Sequence, residues 1–274
     1  MTWHAQLALN YSRQEDRTGV QFKHAGPLRV LKSLYPEGPS ICHNVLVHPP
    51  GGLVGGDLLD IEVRLEQGAH ALITTPGATR FYKSNGQQAR QHTRLKLEAG
   101  ARLEWLPLET IAYNACDAVN RLEFDLAEGA QLMAWDVTAL GLPMANQPYE
   151  AGVFEQHLEW PGRFLERGLV DARDKLLLDG DLGLAGQRCL ASLIYASGSP
   201  MARTQREALL ESSHELLQSA PALGGVTAPN ENMLVLRCAS AVVEPVMMLC
   251  KTMWMHWRKE LWGLQGGSPR IWSM

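Results

Sequence analysis

Alternating apolar and polar positions recur three times in the first half of the chain. The three segments read VRLEQGAHALITTPG (Val63–Gly77), LKLEAGARLEWLPLE (Leu95–Glu109) and FDLAEGAQLMAWDVT (Phe124–Thr138). In each, one alternating run ends at a polar pair, a Gly-Ala step follows, and a second alternating run begins. This pattern predicts a strand, a tight turn with glycine at positive φ, and a second strand.

The glycines of the three turns are Gly68, Gly100 and Gly129, which lie 32 and 29 residues apart. Repetition at this period predicts that each unit buries its apolar face against the next, as in a solenoid or a stacked sandwich. Within the second unit, Arg102 and Glu104 fall on the polar side of the alternation, which is typical of a half-buried strand.

After Arg188 the pattern changes to a strand, helix, strand, strand, helix run. The predicted strands are Cys189–Gly198, Gly224–Ala228 and Met233–Ser240. Ser199-Pro200 predicts an N-cap with proline in the first turn of the first helix. The apolar face of that helix carries Leu209, Leu210, Leu216 and Leu217, and the second helix follows Glu244-Pro245, with Val246, Leu249, Cys250, Met253, Trp254, Trp257 and Leu261 at helical spacing.

The sequence therefore predicts a mainly β fold, of stacked, solenoid-like or sandwich strands, with a C-terminal α+β portion that contains two helices. We divide the chain into a β-rich scaffold body, residues 1–188, and a partner-binding portion, residues 189–274, packed on it. No Pro/Ser-rich linker separates the two.

Composition narrows the function classes. The chain has 274 residues, 46% hydrophobic and 20% charged, which suffices for a large core. A net charge of −4 without a basic run gives no case for nucleic acid or an anionic membrane. No secretory signal or membrane-spanning stretch is predicted. Five scattered cysteines without a CxxC pair predict neither a zinc finger nor a disulfide framework, so we expect a reducing cytoplasm.

The segment HPPGGLVGGD, His48–Asp57, is the most conspicuous motif. It matches neither GxxxxGK[ST] nor GxGxxG, so we expect no phosphate loop. Prolines that stiffen and glycines that permit unusual φ predict a pair of turns. The residues alone predict a structural role for those turns; a second reading, in which they hold Asp57 beside a channel, depends on a family resemblance that other segments also carry. The residues assigned to the turns are His48, Pro49, Pro50, Gly51, Gly52, Gly55 and Gly56.

Histidines offer an alternative reading. His43, His48, His70 and His92 lie in or near predicted strands, and imidazole binds nickel and zinc. A cupin-like β-barrel metalloenzyme acting on a small molecule is therefore the rival hypothesis. The HxH pattern of cupins is absent, however, and a tight site needs three or four converging ligands. A GxSxG motif is also absent, and Cys116 has no adjacent histidine, so no catalytic residues are predicted.

Four segments together resemble the urease accessory protein family UreD, called UreH in some organisms. They are His48–Asp57, TTPGATRFYKS (Thr74–Ser84), LEWLPLETIAY (Leu103–Tyr113) and PRIWSM (Pro269–Met274), with weaker support from AWDVTALG (Ala134–Gly141) and FLERGLV (Phe164–Val170). The resemblance runs along essentially the whole chain.

The resemblance implies a non-enzymatic, mostly β scaffold with two helices near its C-terminus. It also implies partners: a helical protein of the UreF type, a nickel-carrying GTPase of the UreG type, and the urease apoprotein. Such proteins are thought to pass nickel through an internal, water-filled route. We therefore expect no tightly bound cofactor, only transient Ni(II).

The resemblance also assigns residues. Asp57, Asp136 and Glu166 match acidic positions of the family's segments, and Thr75 and Ser84 match polar ones, so these five are expected along a nickel passage. Because a tight cage would not release the metal, weak contact with scattered oxygens suits transit. The alternative for each acid is a salt-bridged surface residue.

A partner-binding surface is assigned near the end of the chain. The aromatic-rich helix Trp254–Leu261 and the terminal segment contain residue types that are favoured in interfaces. We expect most apolar positions of the helix to be core. The residues assigned to docking are Trp254, Trp257, Arg270 and Trp272.

Overall fold

Strands dominate the computed structural model, which describes residues 2–265 and 267–273. The strands are β1 (His4–Gln14), β2 (Arg17–Ala25), β3 (Arg29–Val30), β4 (Ile41–Val47), β5 (Leu58–Leu65), β6 (His70–Thr74), β7 (Thr79–Phe81), β8 (Ala89–Leu97), β9 (Arg102–Leu106), β10 (Thr110–Ala112), β11 (Cys116–Leu126), β12 (Gln131–Leu142), β13 (Gln147–Pro148), β14 (Gly152–Trp160), β15 (Phe164–Asp171), β16 (Cys189–Ser197), β17 (Leu223–Thr227) and β18 (Met233–Ser240). The α-helices are α1 (Lys175–Asp179), α2 (Arg203–Leu217) and α3 (Val243–Trp262).

Each of the three repeated segments forms one strand–turn–strand coil. The pairs are β5 with β6, β8 with β9 and β11 with β12. Gly68, Gly100 and Gly129 connect them at φ values of 67°, 66° and 70°. The turns stack, since the Gly68 amide donates to the Ala99 carbonyl at 3.1 Å. The predicted repeat and its glycines are confirmed, because this left-handed turn is a local requirement of each unit.

The coils build two sheets. The first has seven strands in the order β15-β14-β11-β8-β5-β1-β2, and the second has eleven strands along the path β17-β18-β16-β12-β9-β6-β4-β3, with β7, β10 and β13 off it. From β1 to β14 the neighbours of the first sheet pair in parallel, as do β4, β6, β9 and β12 in the second. This is the solenoid-like stack that the repeat predicted.

Parallel pairing also separates the fold from the rival hypothesis. Cupins are built from antiparallel strands in two sheets. Here each coil places one strand in each sheet and advances along the stack. The cupin-like alternative therefore lacks its architecture.

One apolar core lies between the sheets and another lies outside the second sheet. Even-numbered positions of β12, such as Leu132 and Ala134, pack toward the first sheet. Odd-numbered positions, such as Met133 and Trp135, pack under α2 and α3. Because both faces of the second sheet are covered, β12 is buried along nearly its whole length.

The predicted C-terminal order is confirmed, with two helices as expected, and α1 is an addition that the sequence did not predict. The predicted cap at Ser199 is wrong. Helix α2 begins at Arg203 with Ala202 at its N-cap, and no side chain caps it. The Ser199 hydroxyl instead accepts a hydrogen bond from the Gly129 amide at 3.0 Å, which ties it to a distant turn.

Strands β16 and β18 continue the second sheet from β12. Residues 1–188 and 189–274 therefore share one sheet. Within the described residues, none of the helices combines the length and hydropathy needed to cross a bilayer.

Candidate functional site

The turns of His48–Asp57 close one end of the space between the sheets. Gly52 lies so close to the neighbouring segment that a Cβ would stand 2.3 Å from the Tyr82 ring and 2.9 Å from the Arg80 carbonyl. Gly56 has a φ of 90°. The glycines therefore allow the loop to press against residues 80–88, as the motif predicted in general terms.

The Asp57 carboxylate holds this loop together. It is buried, and one oxygen accepts from the Trp3 amide at 2.7 Å while the other accepts from the Val54 amide at 2.9 Å. Asp57 also lies close enough to His48 to oppose the effect of burial, which lowers the pKa of that imidazole. Asp57 thus has a structural role in this loop, through its hydrogen bonds to the Trp3 and Val54 amides.

A cavity of about 210 Å³ opens beside this loop. Apolar side chains of both sheets form much of its wall. Its polar lining comes from His48, Thr75, Thr79, Gln91 and the exposed Arg80. The His48 Nε2 atom is buried and has no hydrogen-bond partner among the described residues. A buried imidazole nitrogen without a hydrogen bond is costly unless a polar group or a water molecule reaches it.

A second, smaller cavity of about 20 Å³ continues deeper between the sheets. It shares Thr79, Gln91, Trp105 and Pro107 with the first cavity. This volume holds about one water molecule. Asp136 lines it at the far side.

Polar side chains cross the interior here from one sheet to the other. Gln91 Nε2 on β8 donates to Asn120 Oδ1 on β11 at 3.1 Å, and Asn120 Nδ2 donates to Asp136 Oδ2 on β12 at 2.7 Å. The Thr138 hydroxyl donates to Asp136 Oδ1 at 3.1 Å. We call these four side chains, Gln91, Asn120, Asp136 and Thr138, the interior polar row.

Asp136 has no cationic partner within this row. Burial raises the pKa of its carboxyl to about 6, against the hydrogen bond from Thr138 and with the help of the Glu166 charge. Glu166 lies on β15, where it accepts from the Ser192 hydroxyl and pairs with Arg237 at 2.6 Å. Two predicted acids, Asp136 and Glu166, are thus brought near one another, and Asp57 lies apart at the loop.

The two predicted polar residues fall at different places. Thr75 lines the larger cavity, and its hydroxyl accepts from the Leu108 amide at 2.9 Å. Ser84 is half-buried, and its hydroxyl donates to the Gln87 carbonyl at 2.7 Å and accepts from the Gly86 amide at 3.0 Å. Ser84 therefore stabilises the turn against which Gly55 and Gly56 pack.

The aromatic residues assigned to docking lie mostly inside. Trp254 and Trp257 lie on the inward face of α3 and are completely buried. Direct contact with a partner would need α3 to leave the sheet. Trp272 is half-buried, donates from Nε1 to the Thr74 hydroxyl at 2.8 Å, and contacts the Trp254 ring edge to face. Arg270 is exposed, and the final residue of its segment, Met274, lies outside the described residues.

A buried ion network beneath α3 is the main feature that the sequence did not predict. Glu104, placed on the polar side of its strand, is fully buried. Its Oε2 accepts from Trp254 Nε1 at 2.7 Å and from Arg258 Nε at 2.9 Å, while Oε1 lies 3.1 Å from His70 Nε2. Arg258 also pairs with Glu37 at 2.8 Å.

We call these side chains, with His43 at 2.9 Å from Glu37, the α3 anchor. Burial works to raise the pKa of Glu104, but the His70 hydrogen bond and the Arg258 charge outweigh it and hold the pKa below its usual value. In the sequence, the only sign of this network is a glutamate on a predicted strand and an arginine on a predicted helix. Because 154 residues separate the two, the sequence does not indicate that they pair. The anchor ties α3 to the coils.

The histidines considered for a metal site are mostly engaged elsewhere. His43 and His70 belong to the α3 anchor, and His92 pairs with Glu123 at 3.0 Å. Only His48 faces the cavity with an unpartnered nitrogen, as far as the described residues go. In the part of the chain that the structure describes, His43, His48, His70 and His92 do not converge on one metal centre.

These observations define a two-sheet, solenoid-like protein with a polar row across its interior and a helix that an ion network ties to one sheet. Comparison with known proteins gives the family. The family described as UreD urease accessory protein matches residues 4–273. The chain belongs to this family.

Full-length relatives agree. A protein named "Urease accessory protein UreD" from Paracidovorax citrulli is 57% identical over 277 residues, covering 100% of both chains. Proteins of the same name from Variovorax paradoxus and Albidiferax ferrireducens are 55% and 56% identical, again covering 100% of both chains. The predicted family is confirmed, and with it a role as a urease accessory protein in urease maturation.

Proposed function

We propose that this protein is a non-enzymatic, cytoplasmic scaffold and metallochaperone that assists nickel insertion into urease. It bridges a complex containing the nickel-carrying UreG-type GTPase and a UreF-type partner to the urease apoprotein. Nickel crosses it through the polar space between the sheets. The full-length relatives named as urease accessory proteins support the role in urease maturation, and the polar interior supports the proposed nickel route.

The observation that carries the route is the interior polar row beside two cavities that share four lining residues. A two-sheet interior is ordinarily filled by apolar side chains. Here Asp136 is buried without a cationic partner, and burial holds its pKa at about 6. A carboxylate in that position is stabilised by any cation that reaches it.

The chemistry of the row suits passage more than storage. Carboxylate, amide and hydroxyl oxygens bind nickel more weakly than clustered imidazoles or thiolates do. The Glu166 charge adds to the cost of ionising Asp136, so a cation beside Asp136 lowers that cost without a closed ligand cage. Thr75 and Thr79 extend the oxygen lining toward the His48–Asp57 loop.

A docking surface for the partners is supported at the C-terminal end. Met248 and Met255 are exposed on α3, at 54% and 38%. Methionine and arginine are enriched in interfaces, and Arg270 lies in the adjoining terminal segment. Trp272 holds that segment against α3, so its contribution to docking acts through the position of Arg270.

Gln91→Leu tests the route where the cavities meet. The substitution keeps the size of the side chain but removes the amide that both cavities share. We expect unchanged co-purification with urease and the accessory proteins, and a lower nickel content of the urease. Gln6→Leu, on the exposed face of β1, is the matched control. Normal nickel content in urease made with Gln91→Leu would show that nickel does not pass between the sheets beside Gln91.

Asp57→Ala tests whether the His48–Asp57 loop takes part in the proposed nickel passage. If Asp57 serves the passage, complex assembly is retained while urease nickel content falls. Loss of complex assembly would instead assign Asp57 to the loop alone, through its bonds to Trp3 and Val54. Normal nickel content would remove Asp57 from the passage.

A further inference from the structure

The outer face of the first sheet carries a mixed histidine–carboxylate cluster, remote from the interior polar row. Glu123 on β11 and Glu159 on β14 are neighbours in register, and His157 lies two residues before Glu159. Their side chains point away from the interior, because the intervening Leu122 and Leu158 belong to the core between the sheets.

Three ligand atoms converge in this cluster. Among residues 2–265 and 267–273, the ligand atoms of Glu123, His157 and Glu159 all lie within 4.8 Å of one another. His157 Nε2 is 2.6 Å from Glu159 Oε2. This contact is a hydrogen bond, which a cation bound between the same two atoms would replace.

A further histidine orients one of the carboxylates. Arg94 donates to His92 Nδ1 at 2.8 Å, and a guanidinium cannot accept, so Nδ1 is the acceptor. His92 Nε2 therefore carries a proton and donates to Glu123 Oε2 at 3.0 Å. A ligand carboxylate held by a hydrogen bond from behind is typical of metal sites.

Arg121 occupies the cation position between the two glutamates, but its pairing is poor. One terminal nitrogen, Nη2, contacts Glu123 and also Glu159, the latter at 3.3 Å. Its Nε is buried without a hydrogen-bond partner among the described residues. A structural arginine normally presents its fork to a carboxylate in two parallel bonds. This one leaves a buried donor unsatisfied, and leaves the acids available to a better cation.

We propose that Glu123, His157 and Glu159 bind a divalent transition cation, such as Ni²⁺ or Zn²⁺, on the outer face of the first sheet. Arg121 is the displaceable counterion, and His92 is the positioning residue for Glu123. One imidazole with two carboxylates suits borderline first-row metals and leaves positions for water. The Glu123 and Glu159 side chains are 23% and 25% exposed, so the ion reaches them from solvent.

Isothermal titration of the full-length chain with Ni²⁺ tests the site. Glu159→Gln and His157→Gln weaken this binding by at least about tenfold, since the loss of an orienting residue alone costs that much. Arg121→Gln tightens it by about tenfold, because a competing positive charge is removed. Glu155→Gln, on the same strand and face but paired with Arg167, leaves it unchanged.

The Arg121 variant separates a metal site from an ion-pair ladder. If the cluster only stabilises the sheet, Arg121→Gln lowers the unfolding temperature and creates no tighter binding, and the proposal is overturned. It is equally overturned if Asp136→Asn abolishes the Ni²⁺ signal while Glu159→Gln leaves it intact, since the ion then binds in the interior. X-ray absorption on the Arg121→Gln chain should show one imidazole ligand.

Discussion

Two buried carboxylates, Asp136 and Glu104, lie on opposite faces of the same sheet in opposite electrostatic settings. Asp136 faces the first sheet, accepts only from the neutral Asn120 and Thr138, and has a pKa raised to about 6. Glu104 faces α3, and its hydrogen bonds from His70 and the charge of Arg258 hold its pKa below the usual value. Burial opposes the charge in both, so the partner decides the outcome.

The comparison teaches which buried charge serves which purpose. A fully paired carboxylate ties elements together and has nothing to offer a passing ion. A carboxylate with neutral partners beside a cavity is poised to accept a cation. The α3 anchor therefore stabilises the fold, and the interior polar row is the part of the interior that the proposed nickel route uses.

Breaking the α3 anchor should have the largest effect. Arg258→Met leaves Glu104 and Glu37 buried without their guanidinium, which costs about 3–5 kcal/mol of unfolding free energy. Urea denaturation measures the loss. Lys259→Met, the exposed neighbour on α3, is the control and should change stability by less than about 1 kcal/mol. A loss equally small for Arg258→Met would show that the anchor does not hold the helix.

Removing the charge of Asp136 should have the opposite sign near neutral pH. Its folded pKa of about 6 lies above the unfolded value of 3.8, so ionisation destabilises the fold as pH rises through this window. Two pKa units correspond to about 3 kcal/mol. Relative to wild type, Asp136→Asn should therefore gain up to about 3 kcal/mol between pH 4 and pH 7, measured by urea denaturation. A pH-independent difference would contradict the raised pKa.

Glu37 should give the reverse pH dependence. Burial works to raise its pKa, but the hydrogen bonds from His43 and Arg258 lower the pKa from 4.5 to about 2. The stability it contributes is present above pH 4.5 and is lost as pH falls toward 2. Wild type should therefore lose more stability than Glu37→Gln over this range in acid denaturation, and parallel curves would remove Glu37 from the anchor.

The smallest effect is expected from Glu166. Its pair with Arg237 is half-exposed at the arginine, so Glu166→Gln should cost less than about 1 kcal/mol at neutral pH. Loss of the Glu166 charge should also lower the pKa of Asp136. The stability difference between Glu166→Gln and the Glu166→Gln/Asp136→Asn double variant should then change with pH around a lower midpoint than the difference between wild type and Asp136→Asn. An unchanged midpoint would show that Glu166 does not influence the pKa of Asp136.

Local requirements were predictable from the sequence, and the requirements set by distant contacts were not. Gly68, Gly100 and Gly129 each serve a turn within their own unit, so the pattern predicted both the turns and the coils. The start of α2 was missed because the Ser199 hydroxyl binds Gly129 instead of its own helix. No local pattern contains that contact.

The candidate site divides in the same way. Asp136 was assigned through the family resemblance, and the structure adds its neutral partners and its place beside a cavity. Glu104 alternates with apolar neighbours as a solvent-facing residue does, yet α3 covers it from 154 residues away. A polar position on a strand indicates burial or exposure only once both faces of its sheet are known.

Nickel content of urease made with the Asp136→Asn chain tests the central claim most directly. The asparagine keeps the shape of the side chain but cannot carry charge. Its oxygen can still accept from Asn120, while its amide nitrogen donates to the Thr138 hydroxyl, which reverses that hydrogen bond. Asp125→Asn, on the exposed face of β11, is the control. We predict intact complexes with both chains, full nickel loading with Asp125→Asn, and clearly reduced loading with Asp136→Asn. Full nickel loading with Asp136→Asn would contradict the account.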